Sequence, residues 1–103
     1  MLHTVLRNGQ GVMIRTWRHK GLEELFAAGH STRARQDQQR RCMRILDALN
    51  VCERPEDMNV PGWNFHGLHG VPKRWAIAIN GPWRITFEFE SGDALRVDLE
   101  QYH

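Results

Sequence analysis

Apolar residues recur with two different periods along the chain, and the change falls near residue 53. In the first half the spacing is helical. Leu22, Leu25 and Phe26 share one face of a helix expected over 21–28, and Gly29 follows as its left-handed terminator. Ser31 or Thr32 is positioned to cap a second helix running to about Asn50. In that helix Ala34, Gln38, Cys42, Ile45, Leu46 and Leu49 form an inward stripe, with Arg33, Arg40, Arg41 and Arg44 mostly off it. Two helices joined by a tight turn make an αα-hairpin. Ahead of them Val12–Trp17 reads as a short strand. The stretch Arg54-Pro55-Glu56-Asp57 and Val60-Pro61-Gly62 is loop chemistry.

After that loop the period is two. Trp75, Ile77 and Ile79 alternate with Ala76 and Ala78. Trp83, Ile85, Phe87 and Phe89 alternate with Arg84, Thr86, Glu88 and Glu90. Leu95, Val97 and Leu99 alternate with Arg96, Asp98 and Glu100. Asn80-Gly81 and Ser91-Gly92 separate these runs, so two hairpins make an antiparallel meander. The expected order is β-α-α-β-β-β-β, an α+β fold. Residues 13–17 and 63–99 form one mainly antiparallel sheet, and the helix hairpin covers its Trp75/Ile77/Ile79 face. The other face is polar and free to meet a ligand.

The 103 residues suit one domain. Residues 1–12 lack any period and are expected to be a flexible extension, with a single domain over 13–103. Hydrophobic residues are 41% and charged residues 25%, which argues against wholesale disorder. No apolar run approaches the roughly 20 residues that span a bilayer. The opening residues lack the apolar core of a secretory signal. Cys42 and Cys52 make neither a disulfide framework nor a thiolate zinc site. The expected setting is cytoplasmic. Charge is asymmetric. Residues 1–52 carry nine Lys/Arg against four Asp/Glu, a balance of +5, and residues 53–103 carry five against eight, a balance of −3. Twelve of the fourteen basic residues are arginine, the side chain whose planar fork best matches phosphate.

Several segments resemble HigB toxins, the killer-protein branch of the RelE/ParE superfamily. They are Met13-Ile14-Arg15-Thr16-Trp17-Arg18-His19-Lys20-Gly21-Leu22, Pro55-Glu56-Asp57-Met58-Asn59-Val60-Pro61-Gly62-Trp63-Asn64-Phe65-His66, Asn80-Gly81-Pro82-Trp83-Arg84-Ile85-Thr86-Phe87 with Gly92-Asp93-Ala94, and the terminal Glu100-Gln101-Tyr102-His103. The resemblance covers 13–103 in order. It implies a RelE-like microbial RNase fold and cleavage of mRNA on the translating ribosome without a cofactor. It also implies a cognate HigA antitoxin with a helix-turn-helix domain, through which the complex binds operator DNA. The family's functional histidine matches His66 in Phe65-His66-Gly67-Leu68-His69-Gly70, and His69 stands where the family has lysine. The Asp-Tyr-His ending of catalytic relatives matches Gln101-Tyr102-His103, with Gln101 in place of the acid.

RNA cleavage by an internal 2′-hydroxyl needs a base, an acid for the leaving 5′-oxygen, and donors for the charge on the phosphorane. Histidine suits both proton transfers, which makes His66 and His103 the candidate pair. Arg84, on the polar face, is the candidate phosphate fork, and Tyr102 a candidate donor or base-stacking group. Lys73 and Arg74 are candidates for neighbouring phosphates, with His69 and Gln101 beside the site. Arg33, Arg40, Arg41 and Arg44 are candidates for a ribosome-facing patch. Each has a structural alternative. Arg84 can pair with Glu88, Asp98 or Glu100, the arginine cluster can be a solvated helix face, and Trp17, Trp63, Trp75 and Trp83 read as core. Three other functions stay open. One is a zinc enzyme using His66, His69 and His103. Another is a non-catalytic toxin of the ParE type acting on DNA gyrase. The last is a degenerate toxin that only binds its antitoxin.

Overall fold

A computed structural model describes residues 14–101. The expected 1–12 extension and the candidates Tyr102 and His103 lie outside the described residues. Two helices pack on one face of a four-stranded antiparallel sheet: α1 (Lys20–Ala28), α2 (Gln36–Leu49), β1 (His66–Leu68), β2 (Arg74–Asn80), β3 (Trp83–Glu90) and β4 (Asp93–Gln101). The strands lie in the sheet in chain order. Among the described residues no helix is long and apolar enough to cross a membrane.

The first element differs from its expectation. The described part of 12–17 is not a strand but two isolated parallel bridges to β4, Ile14 to Ala94 and Trp17 to Val97. The contact is still specific. The Arg15 N–H donates to Ala94 O, the Arg96 N–H to the Thr16 hydroxyl and the Val97 N–H to Thr16 O. These bonds cover one edge of the sheet.

Helix α1 starts one residue early because His19 Nδ1 accepts from the Leu22 N–H and acts as its N-cap. It ends at Gly29, whose φ of 87° lets its N–H reach Leu25 O. Helix α2 starts at Gln36, later than expected. Ser31 does not cap it because its hydroxyl is already used, donating to Glu24 and accepting from the Arg33 N–H. Gln39 then binds the carbonyls of Ser31 and Ala34, which closes 31–35 into a loop. Of the expected inward stripe, Gln38, Cys42, Ile45, Leu46 and Leu49 are buried on α2, while Ala34 is buried in the loop before it because the helix begins only at Gln36.

The core lies between the helices and the sheet. Leu22 and Leu25 meet Cys42, Ile45, Leu46 and Leu49 above Ile77, Ile79, Ile85, Phe87, Val97 and Leu99, with Met58 and Trp63 closing the side. Leu95 is an exception to the expected alternation. Pairing slips by one between Thr86–Asp98 and Glu88–Leu95, and Arg96 sits at φ 48°. This bulge turns Leu95 to the polar face beside Glu88 and leaves Ala94 in the core.

Candidate active site

The register decides what the polar face brings together. His66 of β1 lies opposite Ala76, and Ala76 lies opposite Thr86. Ala78 lies opposite Arg84, and Arg84 opposite Glu100. His66 and Arg84 therefore project from the same face on the two strands flanking β2, whose backbones are about 10 Å apart. The residues between them on β2 are alanines, so the floor is low. The result is an open cleft of about 220 Å³ lined by Asn64, His66, Ala78, Gly81, Pro82, Trp83 and Arg84.

His66 is exposed, but its ring is oriented. Nδ1 lies 2.8 Å from Asn64 O. A carbonyl only accepts, so Nδ1 carries the proton and Nε2 of the neutral ring holds the lone pair. The sequence reading missed this role of Asn64. Asn64 has a left-handed backbone, φ 49°, where the chain turns into β1.

Next to the cleft is an ion cluster. Glu100 Oε2 accepts from Arg74 Nη1 at 2.6 Å and from the Thr86 hydroxyl. Burial works against ionisation of Glu100, but the hydrogen bonds from Thr86 and Arg74 and the positive charges of Arg74 and Arg84 outweigh it. Its carboxyl is held below the usual range. Arg74 is thus engaged within the sheet face, and Glu100, one of the three acids expected to be able to pair with Arg84, lies opposite it. Further along, Arg96 makes a two-pronged pair with Glu88 at 2.9 and 3.0 Å. That pairing lowers the Glu88 pKa against the effect of burial.

The remaining candidates are dispersed. Gln101 ends β4 opposite Trp83, a cleft residue, and so alternates away from the Arg84–Glu100 face. His69 is exposed in the β1–β2 turn. Lys73 lies across Gly67, donates to Leu68 O and sits 5.8 Å from the Trp75 ring centre. On the helix side Arg40 and Arg44 are exposed, Arg33 pairs with Glu24 at 3.4 Å, and Arg41 turns inward to backbone carbonyls. Trp63 is buried, while Trp17, Trp75 and Trp83 are partly buried against the core. Among the described residues no three His, Cys, Asp or Glu side chains are grouped to hold a metal ion.

Two helices packed on a four-stranded antiparallel sheet make an α+β fold consistent with the RelE-like toxins. The family model for the RelE-like toxin HigB of type II toxin–antitoxin systems matches residues 15–103, and the chain belongs to that family. It is 33% identical over 92 residues to the endoribonuclease HigB of Proteus vulgaris, a match covering 88% of this chain and all of that protein. Membership in a toxin–antitoxin family implies an antitoxin partner.

Proposed function

We propose that this chain is an endoribonuclease that cleaves mRNA on the translating ribosome and thereby inhibits translation. The observation that carries the reading is the oriented His66 ring facing Arg84 across the cleft. The relative named as an endoribonuclease supports it.

In the proposed step His66 Nε2 takes the proton of a ribose 2′-hydroxyl. The 2′-oxygen bonds to phosphorus as the bond to the 5′-oxygen breaks, leaving a 2′,3′-cyclic phosphate and a 5′-hydroxyl. The Arg84 guanidinium holds the charge that builds on the phosphoryl oxygens. His103 protonates the leaving oxygen, and Tyr102 donates to the phosphate. These two residues follow Gln101, which pairs with the cleft residue Trp83. Two imidazoles and a guanidinium cover the proton transfers and the charge, so the step takes no metal. His69, Lys73, Arg74 and Gln101 border the RNA path. Arg40 and Arg44 on α2, with Arg33 in the loop before it, form a basic side suited to ribosomal RNA. The partner is a helix-turn-helix antitoxin, and the pair binds operator DNA through it.

Primer extension on mRNA from translating cells after induction tests this reading. Breaks in phase with codons are expected, and purified ribosome reactions should cleave equally with and without a zinc-selective chelator that leaves the ribosomal Mg²⁺ in place. His66→Ala or His103→Ala should each lower cleavage by about 10²–10⁴-fold. Arg84→Ala should lower it, and Arg84→Lys should restore it in part, keeping charge without the fork. Gln101→Asp should raise cleavage if an acid at that position shares the proton transfers. Full cleavage by the His66→Ala/His103→Ala double variant, or inhibition of gyrase supercoiling without mRNA breaks, would overturn it.

A further inference from the structure

The basic cluster of α2 is not chemically uniform. Arg40 and Arg44 project into solvent, but Arg41 is half-buried and makes three hydrogen bonds to backbone. Its Nε and Nη2 donate to Ala78 O at 3.1 and 3.0 Å, and Nη2 also donates to Gly62 O at 2.8 Å. The reason for these bonds lies in the pairing of β2. Strand β1 is short, and its pairing with β2 covers His66 to Leu68. Beyond it the Ala78 N–H still reaches Trp63 O, but the Trp63 N–H turns away to Val60 O. The Ala78 carbonyl thus faces the loop without the return bond an antiparallel partner would give. Arg41 fills that place and joins it to Gly62.

Those two carbonyls join the cleft to the loop beside it. Ala78 is part of the cleft floor, and Gly62 lies two residues before Asn64, whose carbonyl orients the His66 ring. Three residues earlier on the same helix, Gln38 is buried, and its Nε2 donates to Asn80 Oδ1 at 2.9 Å. Asn80 opens the turn whose Gly81 and Pro82 line the cleft. We infer that Arg41 is a positioning residue for the candidate active site, fixing from behind the sheet the 62–64 loop that orients His66, with Gln38 holding the turn on the far wall. The inference rests on the proposed role of His66 for its catalytic consequence, but not for its structural content.

The test keeps these apart by reading His66 directly. In the intact protein, ¹⁵N spectra of the neutral imidazole should show the proton on Nδ1. In Arg41→Ala the two tautomers should mix, and ribosome-dependent cleavage should fall by about 100-fold, the scale expected for a misplacement near 1 Å. Arg41→Lys, able to reach one carbonyl but not both, should be intermediate in both readouts and covers the case in which Arg41→Ala does not fold. Gln38→Leu should lower cleavage while leaving the tautomer in place. Arg40→Ala should also leave the tautomer in place. An unaltered His66 tautomer in both Arg41 variants would overturn the inference, whether or not the protein cleaves mRNA. So would loss of cleavage in strict proportion to loss of ribosome co-sedimentation. Absence of cleavage by the unmodified protein would refute the proposed function alone, since the tautomer still reports on Arg41.

Discussion

Replacing Glu100 by glutamine removes one charge from the polar face and almost nothing else. The amide oxygen still accepts from Thr86 and Arg74, so the hydrogen-bond pattern survives. What is lost is the ionic attraction to Arg74, 2.6 Å away, and to Arg84 on the paired strand. The side chains of Arg74 and Glu100 are 34% and 27% exposed, so neither limiting case applies. Breaking a fully buried pair costs about 3–5 kcal/mol and an exposed pair about 0–1. An intermediate loss of about 1–3 kcal/mol is expected at pH 7. The sign of its pH dependence follows from the lowered Glu100 pKa. A carboxyl with a lower pKa in the folded chain stabilises above its unfolded value, near 4.3, and loses that contribution as pH falls through the folded value. Protonated Glu100 then resembles glutamine, so the two proteins should converge in acid. Asp57, held down by the Glu53 and Arg54 amides, and Glu88, held down by Arg96, add acid sensitivity to both proteins alike. The difference between them therefore isolates Glu100. Urea unfolding followed by tryptophan fluorescence measures it at both pH values. A gap of the same size at pH 7 and at low pH, or none at pH 7, would refute the reasoning.

Leu46 is fully buried between the helices and the sheet, and Leu46→Ala should cost about 2–5 kcal/mol by denaturant unfolding. Gly29→Ala meets no atom within 4 Å, so its cost is that of an alanine at φ +87°, about 1–2 kcal/mol and visible as a lower Tm. Burial pushes the thiols of Cys42 and Cys52 up to about 11, so a disulfide reagent at pH 8 should label them only at the rate at which the chain opens.

The two periods of hydrophobicity were enough to recover the architecture, because one face of each helix and strand has to be buried. Departures occurred where a polar atom had a competing partner. Ser31 is a favourable cap by type, but Glu24 and the Arg33 amide take its hydroxyl, and α2 begins at Gln36. Leu95 fits a strand alternation that a bulge at Arg96 breaks, and a period-two pattern carries no sign of an extra residue. The short first strand failed for a simpler reason, since Ile14 and Trp17 touch β4 but the residues between them bond through Thr16 and Arg15.

The site was legible to the extent that it depends on residue type. Histidine and arginine on a polar face can be read from alternation and chemistry, and both line the cleft. What could not be read is which groups hold them, because that depends on register. Glu100 and Thr86 become neighbours through pairing of β3 with β4, and Asn64 acts through a backbone carbonyl that every residue has. Arg41 is the sharpest case. By composition it belongs with Arg40 and Arg44, but it flanks the inward stripe, three residues after Gln38 and four before Ile45, where the short β1 leaves Ala78 O for it to bind. A charge count along a helix therefore overstates the surface available to RNA wherever a sheet ends early beneath it. The exposed basic side of α2 is correspondingly narrower than its sequence suggests.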